Sequence, residues 1–85
     1  MDISRDEQRV LHALAQGGRI AALKNQAGKI TGLEFFNRDG WLMNGCSLVL
    51  FKKLKAKKAI ASADGKPYRI TRRGLELVRS EASNR

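Results

Sequence analysis

The stretch that decides the fold is Phe51–Val78, with the sequence FKKLKAKKAIASADGKPYRITRRGLELV. Near its centre, Asp64-Gly65 separates two short segments of strand-like composition, residues 60–63 and 67–70. This dipeptide between two such segments is a strong signal for a two-residue β-hairpin. Apolar side chains recur at helical spacing on both sides of the hairpin. The stretch therefore predicts a helix, a tight hairpin and a last helix, in that order.

The helix before the hairpin has one apolar side and one basic side. Ser47 is a good N-cap for a helix over about residues 48–58, because its hydroxyl can accept from a free backbone N–H. At about 100° per residue, Leu50, Phe51 and Leu54 fall within one arc and should face the core. The opposite arc should face solvent and holds Val49, Lys52, Lys53 and Ala56, with Lys57 at its edge.

The turn chemistry also predicts the register of the hairpin and the start of the last helix. Two cross-strand pairs are expected: Ala63 with Lys66, and Ser62 with Pro67. Pro67 has no N–H to donate, which indicates an edge strand. Thr71 should cap a helix over residues 72 to about 80 that packs through Leu75 and Val78.

Upstream, the chain predicts a helix followed by a sheet. Ser4 and Glu7 have the spacing of a capping box, which begins a helix over about residues 5–16. Strands are expected at residues 19–24 and 29–37, with a short third strand at residues 41–43. In the first helix, Val10, Leu11 and Leu14 should form a buried stripe, and His12 should face solvent. In the sheet region, the aromatic residues should belong to the core, with a base-stacking surface as the alternative; they are Phe35, Phe36 and Trp41.

A helix, a tight hairpin and a following helix in this order resemble the recognition helix and wing of winged helix-turn-helix proteins. The resemblance implies a winged-helix-like α+β domain over residues 1–80, of order α-β-β-(β)-α-β-β-α, with the wing at about residues 60–70. Residues 81–85 should form a frayed tail. The chain departs from the usual pattern where sheet replaces the expected second helix.

Positive charge is concentrated in the second half of the chain. Residues 47–79 carry ten Lys/Arg against two Asp/Glu, so nearly all of the net charge of +9 lies there. Such asymmetry favours nucleic acid or an acidic protein as partner. Lysine reads bases poorly, so duplex DNA would be bound through phosphates with little sequence preference. The candidate binding residues are Lys52, Lys53, Lys57, Lys66, Arg69 and Arg72. The alternative is a merely solvated helix face.

Enzyme chemistry has no support in the sequence. Cys46 and His12 are the only cysteine and histidine, so we expect no metal or other cofactor. Gly28, Gly32 and Gly40 do not form a phosphate-cradling loop, so nucleotide hydrolysis has no support. No small-molecule substrate is expected. Cys46 should be a small packing residue rather than a reactive thiolate. Without a membrane-length apolar run or a secretory signal at its start, the protein is expected in the cytoplasm.

Three blocks of sequence identify a more specific resemblance. SRDEQRVLHALAQGGRI at Ser4–Ile20, FKKLKAKKAI at Phe51–Ile60 and GKPYRI at Gly65–Ile70 resemble the bacterial YjhX family. The resemblance implies the toxin half of a toxin–antitoxin pair, with DNA topoisomerase I as target and a cognate antitoxin as second partner. Two alternatives stay open, a non-toxic basic regulator that binds DNA and a scaffold that binds an acidic protein.

Overall fold

The computed structural model describes residues 3–80 of the chain, and the predicted tail at residues 81–85 lies outside the described residues. Over that range the chain is a mixed α/β protein with three helices and two antiparallel sheets, and the predicted order of elements is confirmed. The elements are α1 (Arg5–Ala15), β1 (Arg19–Lys24), β2 (Ile30–Phe36), β3 (Leu42–Met43), α2 (Leu48–Ala56), β4 (Ile60–Ala61), β5 (Arg69–Ile70) and α3 (Arg72–Ser80).

The capping box at the start of α1 is present as predicted. The Ser4 hydroxyl accepts from the backbone N–H of Glu7 at 3.1 Å, and the Glu7 carboxylate accepts from the backbone N–H of Ser4 at 2.9 Å. These two bonds satisfy amide groups that a helix start otherwise leaves without a partner. The predicted stripe of Val10, Leu11 and Leu14 is buried, and His12 is exposed.

The first sheet has the order β1-β2-β3, and its last strand is short. β1 and β2 pair along their whole length, from Arg19 opposite Phe36 to Lys24 opposite Ile30, with a bulge near Leu23. β3 covers only the end of β2, where Met43 lies opposite Phe35. The side of β2 that faces away from β1 is therefore mostly without a neighbouring strand in the described part of the chain.

The hairpin β4–β5 forms the second sheet, with a register that differs from the predicted one. Lys66 N–H does bond Ala63 C=O across the turn, but the ladder pairs Ile60 with Ile70 and Ala61 with Arg69. If this register continued toward the turn, Ser62 would lie opposite Tyr68, one residue beyond its predicted partner Pro67. Because Pro67 has no N–H, the Ser62 hydroxyl donates to Lys66 C=O and takes the place of a ladder bond.

A single-residue bridge joins the two sheets. The Ile20 N–H donates to Tyr68 C=O at 3.0 Å, and the Tyr68 N–H donates to Ile20 C=O at 2.7 Å. β5 therefore lies beside the edge of β1 that faces away from β2. The prediction of a free edge strand at Pro67 is corrected, since the next residue is already paired with β1.

The three helices enclose one apolar core on one side of the first sheet. Its members are Ile3, Val10, Leu11, Leu14, Ile20, Phe35, Leu50, Phe51, Leu54, Ala59, Ile60, Leu77 and Val78. α3 packs through Leu77 as well as Val78, whereas Leu75 is only half-buried. Thr71 caps α3 as predicted, accepting from Gly74 N–H at 3.0 Å.

The expectation that Trp41 belongs to the core is wrong. Phe35 is buried and Phe36 is half-buried, but 72% of Trp41 is exposed. The reason lies in the β2–β3 turn, where the side-chain oxygen of Asn37 accepts from the N–H groups of Asp39 and Trp41. This turn holds Trp41 at the tip of the hairpin, beyond the helices that cover Phe35.

Candidate nucleic-acid or partner interface

The exposed face of α2 presents lysines as the helical pattern predicts. Ser47 caps this helix by accepting from Leu50 N–H at 3.1 Å, which fixes where the first turn begins. Leu50, Phe51 and Leu54 are buried, and the opposite face, with Lys52 and Lys53, is exposed. Neither ammonium forms an ion pair within 4.0 Å among residues 3–80. Both charges are therefore accessible to a partner.

Lys57 is placed differently from the other predicted site residues. Its Nζ lies 2.7 Å from Oε2 of the buried Glu7, and only 23% of the Lys57 side chain is exposed. Burial alone would raise the pKa of Glu7, but hydrogen bonds from Lys57 and Ser4 outweigh it, and the pKa is lowered. Lys57 thus joins α2 to the start of α1, and its charge is used inside the protein.

Lys66 stands at the tip of the β4–β5 hairpin and is exposed. The turn before it, Asp64-Gly65, has positive φ at both residues, 54° and 73°, the backbone geometry of the predicted tight hairpin. A small cavity of about 120 Å³ lies between this tip and β1, and both Lys66 and Lys24 line it. The structure therefore adds Lys24, which comes from a distant part of the sequence, to the basic surface.

The two predicted arginines lie at either end of the Arg69–Arg72 segment, and both are exposed. Nη1 of Arg69 donates to the carbonyl of Gly17 at 3.1 Å and more weakly to that of Gly18 at 3.4 Å. Arg69 therefore anchors β5 to the end of α1 while part of its guanidinium stays accessible. Arg72 is the first residue of α3 and contacts no acidic side chain within 4.0 Å in the described chain.

Lys55 is a basic residue that the sequence reasoning missed. Its Nζ lies 5.6 Å from the ring centres of both Phe51 and Tyr68, which pack edge to face. Each ring attracts the cation through its negative face. Phe51 and Lys55 are four residues apart on a helix, so the sequence predicts that they are neighbours. The contact of Lys55 with Tyr68 cannot be predicted without knowing the fold.

The lone cysteine lies in the core region of the described chain. Cys46 is half-buried and packs against the core, as predicted. Burial raises the pKa of its thiol to about 11. Within residues 3–80, no group of three or more His, Cys, Asp or Glu side chains could hold a metal ion. No helix in the same range is both long and apolar enough to cross a bilayer.

A small mixed α/β protein with an exposed, lysine-rich surface is thus the class that the fold and the site define. Residues 1–85 match the family described as "Putative toxin of bacterial toxin-antitoxin pair". The chain belongs to this family, the YjhX family.

The chain also has curated relatives that match it over all or nearly all of its length. The chain is 60% identical over 85 residues to the UPF0386 protein of Agrobacterium fabrum, covering all of both chains. It is 59% identical over 85 residues to the UPF0386 protein of Rhizobium rhizogenes, again covering all of both chains. The identity to the UPF0386 protein of Hyphomonas neptunium is 58% over 84 residues, which is 99% of each chain. No solved structure matches the chain.

Proposed function

We propose that this chain is the toxin-like member of a toxin–antitoxin pair, which inhibits DNA topoisomerase I by binding the enzyme, its DNA or both. The family supports the toxin role and implies a cognate antitoxin as partner. The topoisomerase is the target that the sequence resemblance implies. The observation that carries a binding mechanism is the exposed lysine face of α2, where Lys52 and Lys53 have no acidic neighbour within ion-pair distance in residues 3–80.

The arrangement of elements supports contact with duplex DNA. α2 precedes the hairpin β4–β5, in the order that the winged-helix resemblance implies for recognition helix and wing, and a bridge between Ile20 and Tyr68 joins the hairpin to β1. In that arrangement Lys52 and Lys53 would approach phosphates beside the major groove, and Lys66 would reach the next stretch of backbone. Lysine gives affinity through phosphates and little base discrimination, so the predicted binding is non-specific.

The test is controlled expression of the chain in bacteria while growth and plasmid supercoiling are followed. Expression of the wild-type chain should slow growth and leave plasmids more negatively supercoiled, because a relaxing enzyme is inhibited. The variant Lys52→Gln/Lys53→Gln should lose most of both effects. Arg5→Gln/Arg9→Gln removes the same charge from exposed positions of α1 and should keep them. Normal growth and unchanged topoisomers at high soluble expression would contradict the proposal.

A relaxation assay with purified topoisomerase I separates the two modes of binding. If the chain acts by covering DNA, added competitor duplex should restore relaxation, whereas added enzyme should restore it only slightly. If the chain binds the enzyme, added enzyme should restore relaxation, whereas competitor duplex should restore it only slightly. High salt should relieve inhibition in either case, since the contacts are between charges in water.

A second function, for which the same lysine face is the evidence, is a non-toxic role as a basic DNA-binding regulator or as a scaffold for an acidic protein. An isolated gene, without a small neighbouring gene for an antitoxin, would favour this second function. Expression would then leave growth unchanged while the lysine face still bound DNA or the acidic partner.

A further inference from the structure

We infer that the small cavity between the tip of the β4–β5 hairpin and β1 is a binding site for a single phosphate group. Three donors define the site: the ammonium groups of Lys24 and Lys66 and the backbone N–H of Ala22, all from residues that line the cavity. The inference rests on the proposed function only for the source of the phosphate, which would be a DNA backbone. It adds one fixed place where such a phosphate is held.

The fold brings the two lysines together from distant parts of the chain. Lys24 is the last residue of β1, and Lys66 directly follows the Asp64-Gly65 turn of the hairpin. The antiparallel bridge between Ile20 and Tyr68 sets the hairpin beside β1, so that its tip points toward the end of that strand. Both lysines therefore line the same cavity.

The charge around the cavity favours an anion. Neither Lys24 nor Lys66 forms an ion pair within 4.0 Å among residues 3–80, and Asp64, the acidic residue of the turn, does not line the cavity. The exposed Lys29 adds a third cation at the same end of the sheet. Like charges that face one cavity repel each other, and an anion between them relieves the repulsion. The other lining residues are neutral; they are Ala21, Ala22, Ser62, Gly65, Pro67 and Tyr68.

The third donor is a backbone N–H that the fold leaves unpaired. Ile20 uses both its N–H and its C=O on Tyr68, so these groups point away from β2. Backbone direction alternates along an antiparallel strand, so the groups of Ala22, which lies opposite Leu33, point to the same side as those of Ile20. No acceptor for the Ala22 N–H is found on that side within residues 3–80. This N–H is therefore directed at the cavity.

The hairpin itself explains why Ala22 has no partner. If the pairing of Ile20 with Tyr68 continued toward the tip, Ala22 would pair with Lys66. Both backbone groups of Lys66 are used elsewhere, because its N–H donates to Ala63 C=O and its C=O accepts from the Ser62 hydroxyl. The two strands therefore separate at this point, and the gap between them is the cavity.

The size of the cavity and the arrangement of its donors suit phosphate. Its volume is about 120 Å³. A water molecule takes up about 30 Å³ in the liquid, so the cavity has room for a group of a few heavy atoms. Phosphate is such a group, and its tetrahedral oxygens accept from several directions, whereas a carboxylate offers two oxygens in one plane. Lysine binds phosphate as a point charge. Most of the lining residues are exposed, so a larger ligand can insert its phosphate from solvent.

NMR titration of the isotope-labelled chain with inorganic phosphate at constant ionic strength tests the site. The Ala22 amide proton should shift downfield and saturate, whereas the Ala21 amide, which points at β2, should move little. Lys66→Gln and Lys24→Gln should each weaken phosphate binding about five- to tenfold. Arg9→Gln removes the same charge from an exposed position of α1 and should change the affinity by less than about twofold.

Acetate and a short duplex identify the ligand. Acetate should bind far more weakly than phosphate. If a DNA backbone supplies the phosphate, the duplex should shift the Ala22 amide, and Lys66→Gln should reduce that shift. If only free phosphate enters, the duplex should leave Ala22 unmoved while inorganic phosphate still saturates it.

Three results would overturn the inference: an Ala22 amide that phosphate does not shift, acetate that binds as tightly as phosphate, or equal effects of Lys66→Gln and Arg9→Gln. Equal binding of acetate would assign the cavity to carboxylates of an acidic protein. These titrations use the purified chain alone, without growth or topoisomerase as a readout. Failure of this inference is therefore distinguishable from failure of the proposed function.

Discussion

Nζ of Lys57 lies 2.7 Å from Oε2 of Glu7, and this contact joins the end of α2 to the first turn of α1. The other carboxylate oxygen of Glu7 accepts from Ser4 N–H, so one side chain serves both a helix cap and an ion pair. Lys57 is therefore half-buried and ion-paired, although the sequence around it looks like a solvated helix face. The contact separates the lysines that stabilise the fold from those that can bind a partner.

Removal of Lys57 should destabilise the protein. Lys57→Gln leaves the Glu7 carboxylate buried without its cation, and we expect a loss of about 2–4 kcal/mol in the free energy of unfolding. Urea unfolding followed by circular dichroism measures this. The control is Lys53→Gln on the exposed face of the same helix, which should change stability by less than about 0.5 kcal/mol. Equal effects of the two substitutions would mean that the ion pair does not form in solution.

The same pair predicts how stability depends on pH. Because the pKa of Glu7 is lower in the folded protein than its ordinary value of 4.5, ionised Glu7 stabilises the fold at neutral pH. This contribution should be complete above pH 4.5 and should disappear as the pH falls through the lowered value. The wild-type chain should thus exceed Glu7→Gln in stability at pH 7, and the difference should shrink in acid. Urea unfolding of both chains across this range measures it, and a constant difference would contradict the shift.

DNA binding should be electrostatic and nearly indifferent to sequence. With Lys57 used internally, the accessible cations are Lys52, Lys53, Lys66 and Arg72, with Lys24 near the hairpin tip. If about four of them meet phosphates, log affinity should fall with log salt at a slope of roughly −4. Lys52→Gln/Lys53→Gln should lower the magnitude of this slope by nearly two.

Fluorescence anisotropy with two unrelated duplexes measures both the slope and the lack of sequence preference. His12→Gln and Cys46→Ala should leave the slope unchanged, because neither residue is on the lysine face. If the wild-type chain ignores duplex DNA even in dilute salt, the basic surface serves an acidic protein instead, and the double variant should then weaken capture of topoisomerase I or antitoxin.

Gly74→Ala should be destabilising although it lies in a helix. Alanine normally favours a helix over glycine by about 1 kcal/mol. Here an added Cβ would lie 2.3 Å from the carbonyl oxygen of Ala59 and 2.6 Å from the Ile70 side chain, so α3 must shift away from the hairpin. We expect a net loss of about 1–3 kcal/mol in the free energy of unfolding. Gly32→Ala, whose Cβ would make only ordinary contacts, is the control and should be close to neutral.

The Cys46 thiol should be unreactive at neutral pH. Burial raises its pKa to about 11, so the nucleophilic thiolate is a very small fraction of the folded protein at pH 7. Alkylation by iodoacetamide, followed by mass spectrometry, should be much slower than for the same chain in denaturant and should accelerate toward alkaline pH. Rapid modification of the folded chain at pH 7 would show an activated thiol.

Local signals predicted most elements of this fold. The Ser4–Glu7 spacing, the Ser47 cap and the Asp64-Gly65 turn each act within a few residues, and each is found where predicted. The hairpin register was predicted wrongly because the Ser62 hydroxyl replaces a backbone bond of the ladder. No sequence pattern indicates in advance that a serine will do this.

The candidate site was less predictable because the exposure and pairing of its residues depend on contacts with parts of the chain that are distant in sequence. Lys53 and Lys57 look alike in the sequence, and only the position of α1 places a buried carboxylate beside the second. Trp41 was expected in the core from its size, but the Asn37 turn places it beyond the reach of the helices.

The bridge between Ile20 and Tyr68 has a consequence for biosynthesis. β1 is synthesised early, whereas Tyr68, which pairs with the outer edge of β1, is synthesised late. α3, which packs on α1, is synthesised later still. A nascent chain that ends before Tyr68 therefore leaves one edge of β1 unpaired and the apolar stripe of α1 partly uncovered. Such fragments should be rapidly degraded by cellular proteases, because they cannot complete the core. Premature termination should thus yield no folded fragment, and the exposed lysine face should form only once translation has passed α3.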